Sequence, residues 1–311
     1  MVGIVILNWN GYEDTEECLD SLFESSYKDF HVHLIDNASH DGSQEKITAF
    51  IKQKKYLNKI TLMLEEENHG FSKGSNIGIR KAIADNCEYI WLLNNDTVLE
   101  NNTLELLVKE LSLNDNVMIV TPKIVYESSP DIIWNCGGKI SLLGFRKYYF
   151  SNKSISKCYS CNFSISFVTN CASMFRKEYF ISYGLLSELF FFGEEDFEMC
   201  LRNKKAKIKM ICVVDAILKH KVNRSISKIS NNNKKEFVHY LNRYIDMKLF
   251  YNNSFLFFLF RWIYNPYITY LLLRKNNSLK EAIKFIFELN KQSKEKNNVN
   301  QNEFNHIMRI S

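Results

Sequence analysis

Short apolar runs alternate with amphipathic stretches along the first part of the chain. The apolar runs are rich in Val, Ile and Leu, which is typical of strands buried on both faces; they comprise residues 2–7, 32–35, 60–64, 90–93 and 117–120. Between them, residues 13–23 and 75–84 carry apolar side chains at helical spacing. This alternation predicts right-handed crossovers and a mostly parallel sheet flanked by helices, which is an α/β fold.

The regular alternation weakens after about residue 130. Residues 135–160 have the composition of loops and a hairpin, and apolar runs at 165–169 and 208–214 predict two more strands. From about residue 235 the composition shifts toward aromatic and basic residues. We therefore predict an α/β domain over residues 1–235 and a helical extension over residues 236–311.

The most apolar part of the extension is residues 255–273, which is long enough to suggest a membrane span. Arg261, Asn265 and Pro266 interrupt it and disfavour a continuous apolar helix across a bilayer. Aromatic segments flanked by Arg and Lys are typical of the bilayer interface, so interfacial binding is the favoured interpretation. The alternatives are helices packed on the main domain and a true span.

Two signals concern the end of the chain. Ser278 and Glu281 have the spacing of a capping box, which predicts the start of another helix. The last twenty residues are rich in Lys, Asn and Gln, and we predict a loose tail for them.

Charge and cysteine usage bound the cellular setting. The net charge of +5 is mild, and the N-terminal two-thirds lacks aromatic-interleaved basic patches, so nucleic acid is not an expected partner. The 8 cysteines are scattered, which fits a reducing compartment. The first apolar run has no basic leader and meets Asn8 at once, so it is expected to be a strand and not a signal peptide. These features predict a cytoplasmic protein.

Two polar clusters follow the first two predicted strands. Asn8-Trp9-Asn10-Gly11 lacks the glycine pattern of a dinucleotide site, which removes the main support for hydride transfer. Trp9 has two open interpretations, stacking on a base or sugar and packing in the core. Asp36 ends the second strand, where its carboxylate could accept a hydrogen bond from the N3–H group of uracil or thymine.

A glycine-containing segment, residues 68–78, leads into a predicted helix. Its glycines would let the backbone approach a ligand at the helix start, and Lys73 is available to a diphosphate. The alternative is a flexible loop before a helix.

The remaining candidates are ionisable groups. Asp96 follows a buried run, either as a turn residue or as a ligand at the carboxyl edge of the sheet. Glu194, Glu195 and Asp196 follow aromatic residues, which suits either a general base with raised proton affinity or an acidic helix N-terminus. His220, between two lysines, lies where an anion or a metal ion could bind.

Six segments, in this order and at these spacings, resemble glycosyltransferase family 2, especially its rhamnosyltransferase-like branch. They are VILNWNGYEDTEECLDSL, LIDNASHDGS, NHGFSKGSNIGI, WLLNNDTVLE, FFFGEEDFEMCLR and KHKV. The resemblance covers about residues 2–250 and implies a GT-A fold, Rossmann-like, with a C-terminal helical extension. Residues 1–97 would bind the nucleotide and residues 98–235 the acceptor. The implied reaction is an inverting transfer of a sugar from a nucleotide diphosphate.

The resemblance also implies a role for each candidate in donor binding. Asp36 matches the acid that contacts the base, and Trp9 lies in the flanking loop. The full set implied to bind the nucleotide sugar is Asn8, Trp9, Asp36, Asn68, Gly70, Asn76 and Asn95.

Metal binding and catalysis follow from the same resemblance. Asp96 matches the last acid of the metal-binding DxD element, and His220 matches a histidine that closes over the diphosphate and metal, which would be Mg²⁺ or Mn²⁺. Asp196, paired with Glu195, matches the catalytic base. The first acid of the DxD element is Asn94 in this chain, so fewer carboxylates are available to the metal.

The expected donor is dTDP-L-rhamnose, with UDP- and GDP-sugars as alternatives. The expected acceptor is a saccharide, or a lipid-linked saccharide of a growing cell-surface polysaccharide, which would place the protein at the inner face of the cell membrane. A nucleotidyltransferase and a non-catalytic nucleotide-sugar-binding protein are the rival classes. The first would require a glycine-rich basic loop after the first strand, where this chain has Asn8-Trp9-Asn10-Gly11.

Overall fold

A ten-stranded mixed β-sheet forms the centre of the computed structural model, which describes residues 1–54, 56, 58–222, 232–275 and 277–309. The strands in chain order are β1 (Val2–Asn8), β2 (Phe30–Asp36), β3 (Ile60–Leu64), β4 (Tyr89–Asn94), β5 (Thr97–Leu99), β6 (Val117–Tyr126), β7 (Ser129–Asn135), β8 (Gly138–Ile140), β9 (Arg146–Tyr148), β10 (Phe163–Ile165), β11 (Ala172–Arg176) and β12 (Lys209–His220). The order across the sheet is β10-β12-β6-β11-β4-β1-β2-β3. Strand β5 pairs with β12 and β7 pairs with β6, while β8 and β9 form a separate hairpin.

Two groups of strands in the sheet are parallel. Strand β1 is parallel to β2 and β4, β2 is parallel to β3, and β6 is parallel to β12. Strand β11 lies between the two parallel groups and is antiparallel to both β4 and β6. The predicted α/β fold with a mostly parallel sheet is confirmed.

Helices cover both faces of the sheet and form the C-terminal part. They are α1 (Tyr12–Glu24), α2 (Ser43–Gln53), α3 (Gly70–Ala84), α4 (Thr103–Leu113), α5 (Lys177–Tyr183), α6 (Glu195–Lys205), α7 (Asn232–Tyr251), α8 (Ser254–Arg274), α9 (Leu279–Glu295) and α10 (Gln301–Arg309). A single 3₁₀ turn spans Ile155–Lys157. The predicted domain division at residue 235 falls within α7 and stays a prediction.

Two apolar clusters lie on opposite faces of the sheet, because successive strand residues point to opposite sides. In β1, Ile4 and Ile6 pack in the cluster that includes residues of α1, α2 and α4. Val5 points the other way, into the cluster that includes residues of α3, α5, α6 and the C-terminal helices. Burial on both faces explains why β1 reads as an uninterrupted apolar run.

Two strand predictions need correction. Of the run predicted at 165–169, only Ile165 lies in a strand, which is the edge strand β10 over Phe163–Ile165. Strand β11 was not predicted, because its sequence ASMFR has neither β-branched residues nor clear alternation. It is nevertheless buried, since it hydrogen-bonds to strands on both sides.

The aromatic segment of the extension forms one helix, α8, which continues through Pro266. Its buried residues recur every three or four positions and pack on the neighbouring helices: Phe257, Phe260, Tyr264, Ile268 and Leu272. The predicted capping box at Ser278 and Glu281 is present at the start of α9. In the described parts of the chain, no helix has the length and hydrophobicity needed to cross a membrane.

The prediction of a loose tail is wrong over the described part of the chain end. Helix α9 continues to Glu295, and α10 follows after a short connection. Phe304 is mostly buried and packs its ring against Phe191 and Phe192. Val299 is also buried, and Ile307 and Met308 pack against the same core. A few apolar residues spread through a mostly polar segment are easily overlooked in the composition, although they fix the helix on the domain.

Candidate functional site

The carboxyl ends of three parallel strands bring the first candidates together. The register pairs Asn8 with Asp36 across β1 and β2, and Leu7 with Asn94 across β1 and β4. The turn that follows Asn94 carries Asn95 and Asp96. In α/β folds ligands bind at this edge of the sheet, so the location fits the predicted donor site.

Asp36 is buried and its carboxylate is engaged by the protein itself. It accepts hydrogen bonds from the side chain of Asn8 (2.7 Å), the backbone N–H of Ser39 (2.9 Å) and the side chain of Gln44 (2.8 Å). These bonds tie the loop after β2 to the end of β1. The implied contact of Asp36 with a base stays a prediction.

Asn8 is the centre of a chain of neutral polar contacts. Its side-chain oxygen accepts a hydrogen bond from the Thr15 hydroxyl at 2.8 Å, and the Asn95 side chain donates to the same hydroxyl at 2.9 Å. We call Asp36, Asn8, Thr15 and Asn95 the edge network. It links the ends of β1, β2 and β4 with the first turn of α1, and Thr15 is a member that the sequence did not indicate.

Trp9 projects from this edge. Its side chain is not in the core, since the residue is 37% exposed, and its ring centroid lies 6.5 Å from that of His40 in an edge-on arrangement. Of the two interpretations of Trp9, core packing is therefore excluded. An exposed indole beside the edge network is available to stack on a planar ring.

Asn68 and Gly70 lie at the start of α3, next to the end of β2. The side-chain oxygen of Asn68 accepts hydrogen bonds from the Asn37 side chain (2.9 Å) and from the Gly70 backbone N–H (2.8 Å). Gly70 has φ +74°, and a Cβ atom there would lie 2.2 Å from the carbonyl oxygen of Phe191. Glycine is therefore required twice, for its backbone conformation and for the close approach of the loop that contains Phe191.

Asn76 and Lys73 lie apart from the edge network. The Asn76 side chain is buried and donates to the Leu186 carbonyl (2.9 Å) and to Glu188 (2.8 Å). These bonds join α3 to residues 186–188, and the implied contact of Asn76 with the nucleotide stays a prediction. Lys73 is about half exposed, 3.7 Å from Glu67.

Asp96 and His220 meet through strand pairing. Strand β5 pairs antiparallel with β12, which places His220 opposite Thr97, and the Lys221 backbone N–H donates to the Asp96 carbonyl. Asp96 Oδ1 lies 3.2 Å from His220 Nε2, and both side chains are buried. Apart from this ion pair, Asp96 Oδ1 has no hydrogen-bond partner of good geometry among the described residues, and neither has His220 Nδ1. Such unsatisfied atoms are what an incomplete ligand set would leave.

The environment of His220 favours its charged form in the chain alone. Burial by itself would lower the pKa of His220, but the adjacent Cys171 thiol and Asp96 carboxylate raise it to about 10. The Trp134 ring stands edge-on to the imidazole with centroids 4.4 Å apart. A metal ion would have to displace the imidazolium proton, because a ligating histidine is neutral.

The donor atoms present fit a divalent ion only in part. Among residues 1–54, 56, 58–222, 232–275 and 277–309, no group of three or more His, Cys, Asp or Glu side chains is arranged to hold a metal. Asp96 and His220 would supply two ligands, whereas Mg²⁺ prefers six and usually takes the rest from substrate phosphates and water. The pair therefore fits a metal that arrives with a diphosphate.

Residues 191–196, which we call the acidic loop, contain three carboxylates with different surroundings. Glu194 has a left-handed backbone (φ 68°) and an almost fully buried side chain. It is bonded to Arg146 (3.1 Å), Arg243 (2.9 Å) and His239 (2.8 Å). Burial alone would raise the pKa of Glu194, but the two guanidinium groups and His239 hold it well below the usual range. Glu194 is thus a fixed negative charge that anchors the loop.

Glu195 and Asp196 begin α6 and are only partly covered. Burial, with repulsion from Asp196, raises the pKa of Glu195 to about 8. Burial also raises the pKa of Asp196, although the Arg146 guanidinium, 3.6 Å away, opposes the shift. A carboxylate with proton affinity near the working pH suits a general base.

Sequence reasoning missed the cations of this region. Arg146 lies on β9, and His239 and Arg243 lie on α7, 93 and 97 residues further along the chain. The spacing of His239 and Arg243, four residues apart on a helix, was a local signal. Nothing near Glu194 in the sequence indicated that it would meet them.

The profile of "Glycosyl transferase family 2" matches residues 3–184, more than half of the chain, so the chain belongs to this family. The glycosyltransferase GlyG of Streptococcus pneumoniae serotype 4 is 24% identical over 129 residues, which is 42% of this chain and 41% of that protein. The predicted family is confirmed, whereas its rhamnosyltransferase-like branch stays a prediction.

Solved structures show the same fold. A mannosyltransferase from Pyrobaculum calidifontis, PcManGT, in complex with GDP-Man and Mn²⁺, aligns with a TM-score of 0.56 at 16% identity over 79% of this chain and 62% of that one. GalNAc-T7 with UDP, GalNAc and Mn²⁺ aligns with a TM-score of 0.58 at 19% identity over 71% and 43%. The GT-A fold is thereby confirmed. The chain spans less than two thirds of each of these relatives.

Proposed function

We propose that this protein is an inverting glycosyltransferase that moves a sugar from a nucleotide-diphosphate donor to a saccharide acceptor. The observation that carries the proposal is the pairing of Asp96 with His220 beside the edge network. Two ligands with unsatisfied atoms at the carboxyl edge of a GT-A sheet are suited to a diphosphate and its metal ion.

Donor binding would use the edge network as a rigid frame. The exposed indole of Trp9 would stack on the base or sugar, while Asn95 and the backbone near Gly70 would contact the nucleotide sugar. Neutral amides can hydrogen-bond hydroxyl groups without adding negative charge near the phosphates. Asp96 and His220 would hold Mg²⁺ or Mn²⁺, which when bound neutralises charge on the leaving diphosphate.

Transfer would use the acidic loop on the acceptor side. The acceptor hydroxyl oxygen bonds to the anomeric carbon as the carbon–oxygen bond to the diphosphate breaks, and the bonding electrons leave with the diphosphate. Asp196 would take the hydroxyl proton, with Glu195 next to it. Because Phe191 of this loop touches Gly70 of the donor side, the two halves of the site are in direct contact.

The donor we propose is dTDP-L-rhamnose, from the likeness of the motifs to the rhamnosyltransferase-like branch. PcManGT and GalNAc-T7 were crystallised with GDP-Man and with UDP and GalNAc, so GDP- and UDP-sugars are the alternatives to test. A thermal-shift panel of dTDP-, UDP- and GDP-sugars with Mn²⁺ should show one preferred donor. The donor-transfer proposal fails if no nucleotide sugar raises the melting temperature and none is consumed with a mixed set of saccharide acceptors.

We further propose that the acceptor is lipid-linked and that the extension rests on an anionic membrane surface. Helix α8 exposes large apolar side chains between its buried positions, and α9 adds a row at four-residue spacing. The exposed side chains are Phe255, Phe258, Trp262, Tyr270, Leu279, Ile283 and Phe287. Trp262 is 71% and Phe287 69% exposed, which is unusual for such large apolar side chains.

Charge supports a lipid surface as the occupant of this face. Residues 232–311 contain 13 Lys and Arg against 6 Asp and Glu, whereas residues 1–231 contain 27 against 29. Lys and Arg close to an anionic leaflet are each worth about 1 kcal/mol of binding. The positive charge of the protein is thus concentrated in the part that exposes the aromatic side chains.

Vesicle sedimentation can test this placement. The wild type should bind vesicles of phosphatidylcholine with phosphatidylglycerol and bind pure phosphatidylcholine much less. Replacing Trp262 and Phe287 together by serine should release the protein, while Leu113→Ser, at an exposed position on α4, should not. Equal binding by both variants would contradict the proposal, as would a concentration-dependent dimer formed through the same residues.

A further inference from the structure

The end of the chain is hydrogen-bonded to the acidic loop. We call residues 297–304 the strap and residues 189–193 the catalytic-loop stem, because the stem leads directly into Glu194, Glu195 and Asp196. The Val299 backbone N–H donates to the Leu189 carbonyl at 2.9 Å, and the Phe191 N–H donates to the Val299 carbonyl at 2.8 Å. The strap and the stem therefore pair like two short parallel strands.

Phe304 reinforces this pairing with side-chain contacts. Its ring centroid lies 5.3 Å from that of Phe191 and 5.5 Å from that of Phe192. Aromatic pairs at such distances contribute beyond the apolar area that they bury. The strap thus contacts the stem through backbone hydrogen bonds and through aromatic side chains.

The strap is itself well anchored. Asn300 and Glu303 cap the start of α10 reciprocally, with the Glu303 N–H donating to Asn300 at 3.0 Å and the Asn300 N–H donating to Glu303 at 3.2 Å. Lys296 forms an ion pair with Glu303. Lys248 of α7 donates to the Ser293 carbonyl at the end of α9. These contacts give the strap a defined position from which to hold the stem.

Gly70 and helix α7 also contact the stem. The Phe191 carbonyl lies against Gly70, where no side chain could fit. The Asn242 side chain of α7 donates to the carbonyl of Phe192 at 2.8 Å and lies 3.3 Å from that of Gly193. The stem therefore contacts Gly70 in the α/β domain, and both α7 and the strap in the C-terminal extension.

We propose that the strap is a positioning element of the active site. It holds the stem so that the Asp196 carboxylate faces the acceptor and is shielded from water. This inference rests on the proposed function, because it takes Asp196 as the base. Residues of the strap are not catalytic residues, since they touch the stem and not the reacting groups. Without the strap, the stem would lose two backbone hydrogen bonds and its packing against Phe304.

Phe304→Ala provides the main test, in a transfer assay with a soluble acceptor. A reacting group misplaced by about 1 Å can cost 10²-fold in rate, so we expect kcat to fall about 10- to 100-fold. The KM for the donor should stay close to that of the wild type. Phe304→Leu, which keeps an apolar side chain on the stem, should recover much of the rate and serves as the variant to measure if Phe304→Ala does not fold.

A pH profile separates positioning from general destabilisation. The charged and titratable groups near Asp196 and Glu195 include Arg146, Tyr148, Glu194, His239, Arg243 and Asp246, and none of them is changed by Phe304→Ala. A loosened stem admits water to the two acids, which lowers their raised pKa values, so the acidic limb of kcat should move to lower pH.

Phe285→Ala is the matched control. Phe285 packs against Phe237 of α7 in the same extension, with ring centroids 5.2 Å apart. The Phe285→Ala substitution should lower the melting temperature without changing kcat or the pH profile. A Phe304→Ala enzyme with wild-type kcat and pH profile would overturn the positioning role.

Hydrogen exchange gives a readout that does not depend on the reaction. The Phe191 amide should exchange faster in Phe304→Ala than in the wild type, whereas Phe285→Ala should leave it protected. Unchanged protection of the Phe191 amide in Phe304→Ala would overturn the proposed role of the strap. Faster exchange with no transfer by the wild type on any donor would instead count against the proposed glycosyltransferase activity alone.

Discussion

The edge network and the acidic loop are assembled in opposite ways. The edge network joins Asp36, Asn8, Thr15 and Asn95, all within the first hundred residues, through hydrogen bonds among short side chains. The acidic loop is held by Arg146, His239 and Arg243 and by the strap, which come from distant parts of the chain. The edge network follows from the order of neighbouring strands in the sheet, whereas the acidic loop depends on packing between distant segments of the chain.

The two halves also differ in charge. The edge network contains one carboxylate, which is satisfied by amide and backbone donors. The acidic loop concentrates three carboxylates against two guanidinium groups in a largely buried setting. A nearly neutral edge suits a ligand that already carries a diphosphate, and a charged loop suits proton transfer. Substitutions can therefore separate donor binding from transfer.

The largest effect is expected from Asp196→Asn, because an amide cannot accept the acceptor's proton. General-base assistance is worth about 10²–10⁴-fold, so kcat should fall by that factor while donor affinity is retained. Steady-state transfer assays and calorimetry with the donor measure the two quantities. Glu178→Gln, at an exposed position on α5, is the control. A variant that keeps more than about a tenth of the wild-type rate would rule out Asp196 as the base.

Arg243→Ala tests the buried ions of the acidic loop. Removing one partner of a buried ion pair costs about 3–5 kcal/mol, because it leaves Glu194 with an uncompensated part of its charge. Urea denaturation should show this loss. Arg80→Ala removes an exposed pair with Glu188 and should cost only about 0–1 kcal/mol. Similar losses in the two variants would mean that the buried cluster does not hold the loop.

Asp96→Ala tests the proposed role of Asp96 as a metal ligand in donor binding. It should weaken donor binding in the presence of Mn²⁺ by about 10- to 100-fold, in the range seen when the surroundings of a metal site are altered. It should leave binding without metal little changed. Calorimetry with and without Mn²⁺ measures both, with Asp115→Ala at an almost fully exposed position as control. Equal affinity of Asp96→Ala and the wild type with Mn²⁺ would remove Asp96 from the metal site.

The smallest effect is expected in the pH dependence of the wild type. Burial raises the pKa of Asp196, and burial with repulsion from Asp196 raises the pKa of Glu195 to about 8. A protonated acid cannot accept a proton, so kcat should rise with pH as these two acids lose their protons. Arg146→Gln should move this limb to higher pH, because the guanidinium of Arg146 lowers the pKa of Asp196. A kcat that does not change around pH 8, where Glu195 titrates, would contradict a role for this pair of acids in the proton transfer.

Much of the fold was predictable because buried parallel strands are distinctive in sequence. Strands β1 to β4 and β6 were predicted from their apolar runs, whereas β11 was not, because its residues have no strand pattern and its place depends on β4 and β6. The approach of Asp96 and His220 was implied only through the family, since it depends on the pairing of β5 with β12. The sequence left Trp9 open between core packing and ligand stacking; its exposure in the structure excludes the core, and its role in stacking stays a prediction.

The sequence by itself determined the α/β class, the family and the polar residues at the strand ends, because these depend on local periodicity and on motifs at fixed spacing. Only the tertiary structure decided which cations neutralise Glu194 and that Val299 and Phe304 hold the catalytic-loop stem. Those contacts join residues about 50 to 110 positions apart, and no local pattern specifies which distant groups meet when apolar faces pack. The polar composition of the chain end concealed one phenylalanine whose burial fixes the position of the strap.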